Sequence, residues 1–145
     1  MPVNFPIQTI DTSVIVRYLS NDIPSLASRA RRLIDSDIPL GITSVAILES
    51  NFVLRSPRYG YERDSVLDGL KLILGRENII GIGIDTAQAI AALERCKGSS
   101  KVSVGDALIA ATCLTAGVTA VYTFDAQFTR SGLRIAPFPT DSSSL

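Results

Sequence analysis

The chain contains no histidine. That absence excludes histidine triads, histidine pairs acting as acid and base, and any histidine-ligated zinc or iron site. Cysteine is nearly absent too: Cys96 and Cys113 stand seventeen positions apart, each inside a helix-like stretch, so there is no C-x-x-C spacing for redox or zinc chemistry. Both read as small core residues. Neither sign of charge is in excess, since 14 Lys plus Arg balance 14 Asp plus Glu, and no overall field draws the chain to a polyanion or a membrane. The opening "MPVNFPIQTID" lacks a basic segment and reaches an acid within eleven residues, so no signal peptide is expected there. No long unbroken apolar run occurs. The stretch "ALIAATCLTAGVTAVYTF" is mostly Ala and Thr, is interrupted by Gly117, and reads as a buried helix followed by a strand. Together these absences predict a cytoplasmic protein whose chemistry runs on carboxylates, hydroxyls and metal.

What is present fits one domain. At 145 residues and 46% hydrophobic, the chain is long enough for a real core and too short for two comfortable ones. Eleven of the 14 basic residues are arginine, whose planar fork suits phosphate, so any polyanion binding would come from local patches. Strand-like runs at 6–10, 39–42, 78–84, 118–124 and 133–137 alternate with helical patterns at 12–19, 25–35, 43–54, 61–74, 86–97 and 104–116. This alternation predicts an α/β fold with a mostly parallel sheet covered by helices on both faces. Residues 1–137 form the expected domain, and the Pro- and Ser-rich end, 138–145, reads as a disordered tail. In such folds, sites form at the carboxyl ends of the strands. Asp11 directly follows the first strand and Asp125 directly follows "VYTF". Both acids therefore share one rim if their strands are parallel and adjacent.

Two further acids are conspicuous on helices. On "SVAILESNFVL", Glu49 falls among Val45, Leu48, Phe52 and Val53, the face expected to pack on the sheet. Burying an unpaired carboxylate is costly, so a salt bridge to Arg17 or Arg55 is one explanation and a functional site another. Asp106 aligns with Ile109, Ala110 and Cys113 on "VGDALIAATCL", although an acid in a first helical turn also stabilises the helix by itself. Asp11, read alone, is a helix N-cap. Four acids at one place would repel by about 3–4 kcal/mol per pair at ~4–5 Å and an effective dielectric near 20. Such a cluster must take up protons or bind a hard cation, Mg²⁺ or Mn²⁺ before calcium.

In order, "IDTSVIVRYL", "TSVAILESNFVL", "VSVGDALIAATCLTAG" and "AVYTFDAQFTR", which span residues 10–130, resemble the PIN-domain nucleases, most closely the VapC-type toxins of toxin–antitoxin pairs. The resemblance implies a three-layer α/β/α domain and identifies Asp11, Glu49, Asp106 and Asp125 with the family's acidic quartet, at once catalytic and metal-binding. Thr123 matches a hydroxyl often found on the last strand, and Thr12 follows the first aspartate as it commonly does. Ser13 departs from the asparagine of many relatives and would support the site from behind the metal ligands. The implied activity is Mg²⁺-dependent cleavage of RNA, with Mn²⁺ as substitute. Water would attack, leaving 5′-phosphate and 3′-hydroxyl ends.

Candidate RNA contacts are Lys97 and Lys101, before Asp106, and Arg130 and Arg134, past Asp125. "RSPRYGYERD" adds Arg55, Arg58 and Arg63 interleaved with Tyr59 and Tyr61, either an RNA surface or a solvated turn. The resemblance also implies a cognate antitoxin, seated on a groove formed by parts of 14–19 and 46–54, and a homodimer. Two readings compete with the toxin: a PIN-fold module that binds RNA or protein without cutting, and an RNA-processing PIN nuclease without an antitoxin. A haloacid-dehalogenase-like phosphatase needs a second aspartate where Ser13 stands, and a response-regulator receiver needs an early acidic pair that is missing.

Overall fold

The computed structural model describes residues 6–141. Elements follow the order β1 (Gln8–Thr9), α1 (Thr12–Ser20), α2 (Pro24–Ile34), β2 (Leu40–Thr43), α3 (Ser44–Arg55), α4 (Arg63–Leu74), β3 (Ile79–Ile82), α5 (Thr86–Cys96), α6 (Val104–Thr115), β4 (Ala120–Val121), a 3-10 turn (Ala126–Ser131) and β5 (Arg134–Ile135). Helix starts follow local chemistry. Asp11, Thr43, Asp85 and Ser103 each accept a backbone N–H from the first turn of the helix they precede, and Pro24 opens α2.

Among the described residues all strand pairing is parallel: β1–β2–β3 in one sheet, β4–β5 in a second. With helices on both faces, the fold is a three-layer α/β/α domain. The expected strands are shorter than their apolar runs. The run "NIIGIGI" leaves the ladder after Ile82, where Gly83 takes φ +71° and turns the chain toward α5. Because β1 and β4 belong to different ladders, Asp11 and Asp125 do not follow paired neighbouring strands, and the expectation of one shared rim is corrected on that point.

The main core joins Ile10, just past β1, and Ile42 on β2 to Ile15, Ile34, Ile47, Leu54, Leu67, Leu70, Ile73 and Leu93 on the helices. A second, small cluster of Ala110, Phe128 and Leu133 seats β4 and β5 against α6, with Val121 packed on it. Cys96 is buried, Cys113 half-buried, and both are free thiols; burial raises the Cys96 pKa. Phe138 packs against Tyr122 and Phe124, while the rest of the expected tail, from 142 onward, lies outside the described residues.

Helix α3 is rotated from its expected phase. Ala46, Ile47, Ser50, Asn51 and Leu54 face the core, whereas Val45 and Phe52 are 65% and 61% exposed. Ser50 is tolerated inside because its hydroxyl donates to the Ala46 carbonyl at 2.7 Å. Two small polar residues thus occupy the inward stripe, and hydrophobicity alone points to the wrong side. In α6 the inward residues are Val104, Ala107, Leu108, Ala110 and Ala111, and Ile109 is 50% exposed.

Candidate active site

The carboxyl ends of β1 and β2 open into α1 and α3, and these two helices supply the first two acids. Asp11 caps α1: one carboxylate oxygen accepts the Ser13 hydroxyl at 2.6 Å and the Val14 N–H at 3.3 Å. The Ser13 bond, seconded by the Val14 bond, holds the Asp11 carboxyl below the usual carboxylate range, so it is ionised at neutral pH. Thr12 turns toward α3, where its hydroxyl donates to Oε1 of Glu49 at 2.8 Å.

Glu49 is exposed, so the premise that it is a buried misfit is corrected. It makes no salt bridge among the described residues, and the expected partner Arg17 is bound instead to Asp22 at 2.6 Å. Asn21, in the left-handed conformation at φ 53°, ends α1 and lets the chain fold back so that Asp22 meets Arg17. Asp22 also accepts the Tyr59 and Ser20 hydroxyls, at 3.0 and 2.9 Å, and Arg58 lies over the Tyr59 ring at 5.2 Å. The sequence does not show this network, because its members lie up to 42 positions apart and meet only when the α3–α4 loop folds over α1.

Asp11, Thr12, Ser13 and Glu49 line one open groove of about 680 Å³, together with Arg17, Arg58 and Tyr59. A slightly larger depression, about 760 Å³, lies between Pro39 and Asn78 at the amino ends of β2 and β3. Parallel α/β sheets present their sites at the carboxyl ends, which makes the acidic groove the candidate.

The other two acids stand elsewhere in their own elements. Asp106 is half-buried in the first turn of α6, its N–H donating to the Ser103 hydroxyl at 3.0 Å. Asp125 caps the 3-10 turn, accepting the Gln127 N–H at 2.9 Å, and its own N–H donates to the Thr123 hydroxyl at 3.0 Å. Thr123 thus holds the backbone of Asp125 rather than its carboxylate. Neither acid lines the groove, and among the described residues no three His, Cys, Asp or Glu side chains form a group that could hold a metal ion. The ligand atoms that the groove could offer a metal are all oxygens, the Asp11 and Glu49 carboxylates with the hydroxyls of Thr12, Ser13, Ser56 and Tyr59, a set suited in kind to a hard divalent cation.

The basic candidates divide. Lys97 is spent on Asp68 at 2.9 Å, a bond that raises the lysine's pKa. Arg63 faces inward, donating to the carbonyls of Cys96, Ser99 (2.9 Å) and Val102 (2.6 Å), and so staples the loop before Asp106 instead of meeting RNA. Lys101, Arg130 and Arg134 are exposed and form no salt bridge among the described residues. No helix among the described residues is long and apolar enough to cross a membrane.

The PIN domain family model matches residues 9–132, from the end of β1 through the 3-10 turn. No curated protein and no solved structure matches the chain. The match takes in all four acids and every helix described above, and PIN domains are generally nucleases. By its family match and its α/β/α architecture, the chain belongs to the PIN-domain family.

Proposed function

We propose that this protein is a metal-dependent endoribonuclease, the VapC-type toxin of a type II toxin–antitoxin pair acting in the cytoplasm. The observation that carries the reading is the convergence of Asp11 and Glu49, from separate helices, on one groove at the carboxyl ends of the strands, tied by the Thr12 bond. Both carboxylates line the groove, and neither has a cationic partner among the described residues. Asp11 and Glu49 would hold Mg²⁺, or Mn²⁺ in its place. Asp106 and Asp125 complete the quartet by resemblance. When bound, such an ion supplies a water of lowered pKa and polarises the scissile phosphate. The residues' own contributions are distinct. Asp11 is kept ionised by Ser13 and Val14, Thr12 fixes the Glu49 carboxylate, and Arg58, which also pairs with Asp22 at 3.9 Å, adds positive charge to the groove lining for the RNA backbone.

The same groove, with Val16, Phe52 and Val53 beside Arg17, suits an apolar segment of a cognate antitoxin, which would shut the site by covering it. A homodimer is proposed from the resemblance.

The test is cleavage of a labelled RNA pool by purified protein freed of any partner, with Mg²⁺, Mn²⁺ or EDTA, beside Asp11→Asn. Cutting that needs metal and disappears in the folded variant supports the reading. A wild type that binds RNA without cutting under any metal supports the non-catalytic module instead. Cutting by a protein whose expression leaves cell growth unaffected, with no antitoxin co-purifying, favours an RNA-processing enzyme.

A further inference from the structure

Three of the chain's nine aromatic residues, five Phe and four Tyr with no Trp, gather on one outer face of the β4–β5 ribbon. Their placement follows from the register. Ala120 pairs with Arg134 and Val121 with Ile135, and the Ala136 N–H extends the ladder to the Val121 carbonyl at 2.8 Å. Side chains alternate between faces, so Val121 and Leu133 turn inward onto the second core cluster while Tyr122, Phe124, Arg134 and Phe138 turn outward. Phe124 and Phe138 stack at 4.8 Å with planes only 9° apart, and Tyr122 leans on Phe138 at 5.3 Å. The stacked contact still leaves Phe124 97% exposed. Scattered exposed rings need no explanation, but stacked and contiguous ones in an aromatic-poor chain do.

We propose that Tyr122, Phe124 and Phe138 form a base-stacking platform for single-stranded RNA, with Arg134 on the same face and Arg130 in the preceding turn holding the phosphates. Rings already parallel and held by a neighbour accept a base on the open side with little loss of freedom, and every base has a face to offer. The charge is complementary to a polyanion: neither arginine has a carboxylate partner among the described residues. Phe124 immediately precedes Asp125, so a strand stacked here runs past an acid of the quartet. This inference rests on the reading of the protein as an RNA-cutting enzyme and adds the surface that would grip the unpaired bases.

Binding in EDTA separates grip from cutting. The probe is a fluorescein-labelled 12-nucleotide RNA of mixed sequence, used single-stranded and annealed to its complement. For the single strand, Phe124→Ala is expected to weaken binding about 5- to 100-fold and Phe124→Tyr by less than about twofold. The duplex, whose bases are already stacked, should bind wild type and Phe124→Ala alike. Arg134→Gln should lower the salt dependence by about one released ion. Because both rings stand in solvent, the variants are expected to fold, and Phe138→Ala gives an independent removal of the stack. Equal binding by wild type and both alanine variants overturns the platform, as does equal weakening on the single strand and duplex. Sedimentation showing that Phe124→Ala dissociates a dimer while RNA binding is unchanged overturns it in favour of self-association. Metal-dependent cutting with an unchanged KM in Phe124→Ala removes the platform and leaves the nuclease standing. Ring-dependent binding without any cutting does the reverse.

Discussion

The Thr12 hydroxyl donates to Oε1 of Glu49 at 2.8 Å, joining the first turn of α1 to the middle of α3. It is the one side-chain hydrogen bond among the described residues that links the neighbourhood of Asp11 to the second acid of the groove. A hydrogen bond to a charged group contributes about 1.5–3 kcal/mol. Thr12→Val should therefore lower RNA cleavage about tenfold or somewhat more while leaving Tm nearly unchanged, because the bond is exposed. Thr12→Ser should restore most of the rate. Full activity in the valine variant would remove Thr12 from the positioning of Glu49.

Asp11 does two jobs that a single substitution can separate. Asparagine caps helices about as well as aspartate, so Asp11→Asn should change unfolding free energy by less than about 0.5 kcal/mol. Cleavage should fall at least about 100-fold, since the ionised carboxylate is gone. Asp11→Ala should lose the same activity and about 1 kcal/mol of stability besides. Urea denaturation read beside a cleavage assay resolves the two effects.

The Arg17–Asp22 pair makes stability depend on pH in a defined direction. Arg17 at 2.6 Å, with the Ser20 and Tyr59 hydroxyls, holds the Asp22 carboxyl well below the usual carboxylate range. A depressed folded-state pKa stabilises above the unfolded value of about 3.9 and is lost as pH falls toward the folded one. Tm of wild type should exceed that of Asp22→Asn at pH 6–7. The gap should begin to close below about pH 4 and shrink steadily with further acid. A gap that persists undiminished at the lowest pH where the protein folds would assign the effect to something other than this carboxylate.

Gly81 in β3 sits where no side chain fits. A Cβ there would lie 1.7 Å from the Ile84 carbonyl oxygen, a backbone atom that cannot swing aside. Gly81→Ala should cost about 2–3 kcal/mol in urea denaturation, the upper range for overpacking. By contrast, Gly105→Ala places its Cβ in open space in the first turn of α6 and should be neutral or mildly stabilising.

Period and punctuation in the sequence were enough to name all six α-helices to within a few residues, though not the 3-10 turn at Ala126–Ser131, and to place strands and helices in their order along the chain. Capping residues and prolines act through their immediate neighbours, as Asp11 does on Val14, so their effect is readable in one dimension. The position of Asp11 and Asp125 at element starts was legible for the same reason, since both follow strand-like runs directly, whereas Glu49 was singled out by a burial that the fold does not give it. Rotational phase was not. The stripe Val45, Leu48, Phe52 looked inward by apolarity, yet Ala46, Ile47, Ser50, Asn51 and Leu54 face the core. Ser50 could go inside only because the Ala46 carbonyl of its own helix accepts its hydroxyl, a bond that hydrophobicity does not register.

The sequence by itself determined the chemistry available to this protein: no imidazole, only two cysteines, and carboxylates at element starts, of which Asp11 is kept ionised by the Ser13 hydroxyl and then the Val14 N–H. Tertiary structure alone decided which charges are spent and which are free. Arg17 could have met Glu49 but meets Asp22, Arg63 could have met RNA but staples three carbonyls, and Lys97 is taken by Asp68. It also decided that Tyr122, Phe124 and Phe138 share one outward face. The physical reason is reach. Intrinsic propensity and capping act over a few residues, whereas the Lys97–Asp68 pair, the Arg63 bonds and the ring stack join groups 14 to 39 positions apart, and even the local Arg17–Asp22 pair is completed by Tyr59 from the α3–α4 loop.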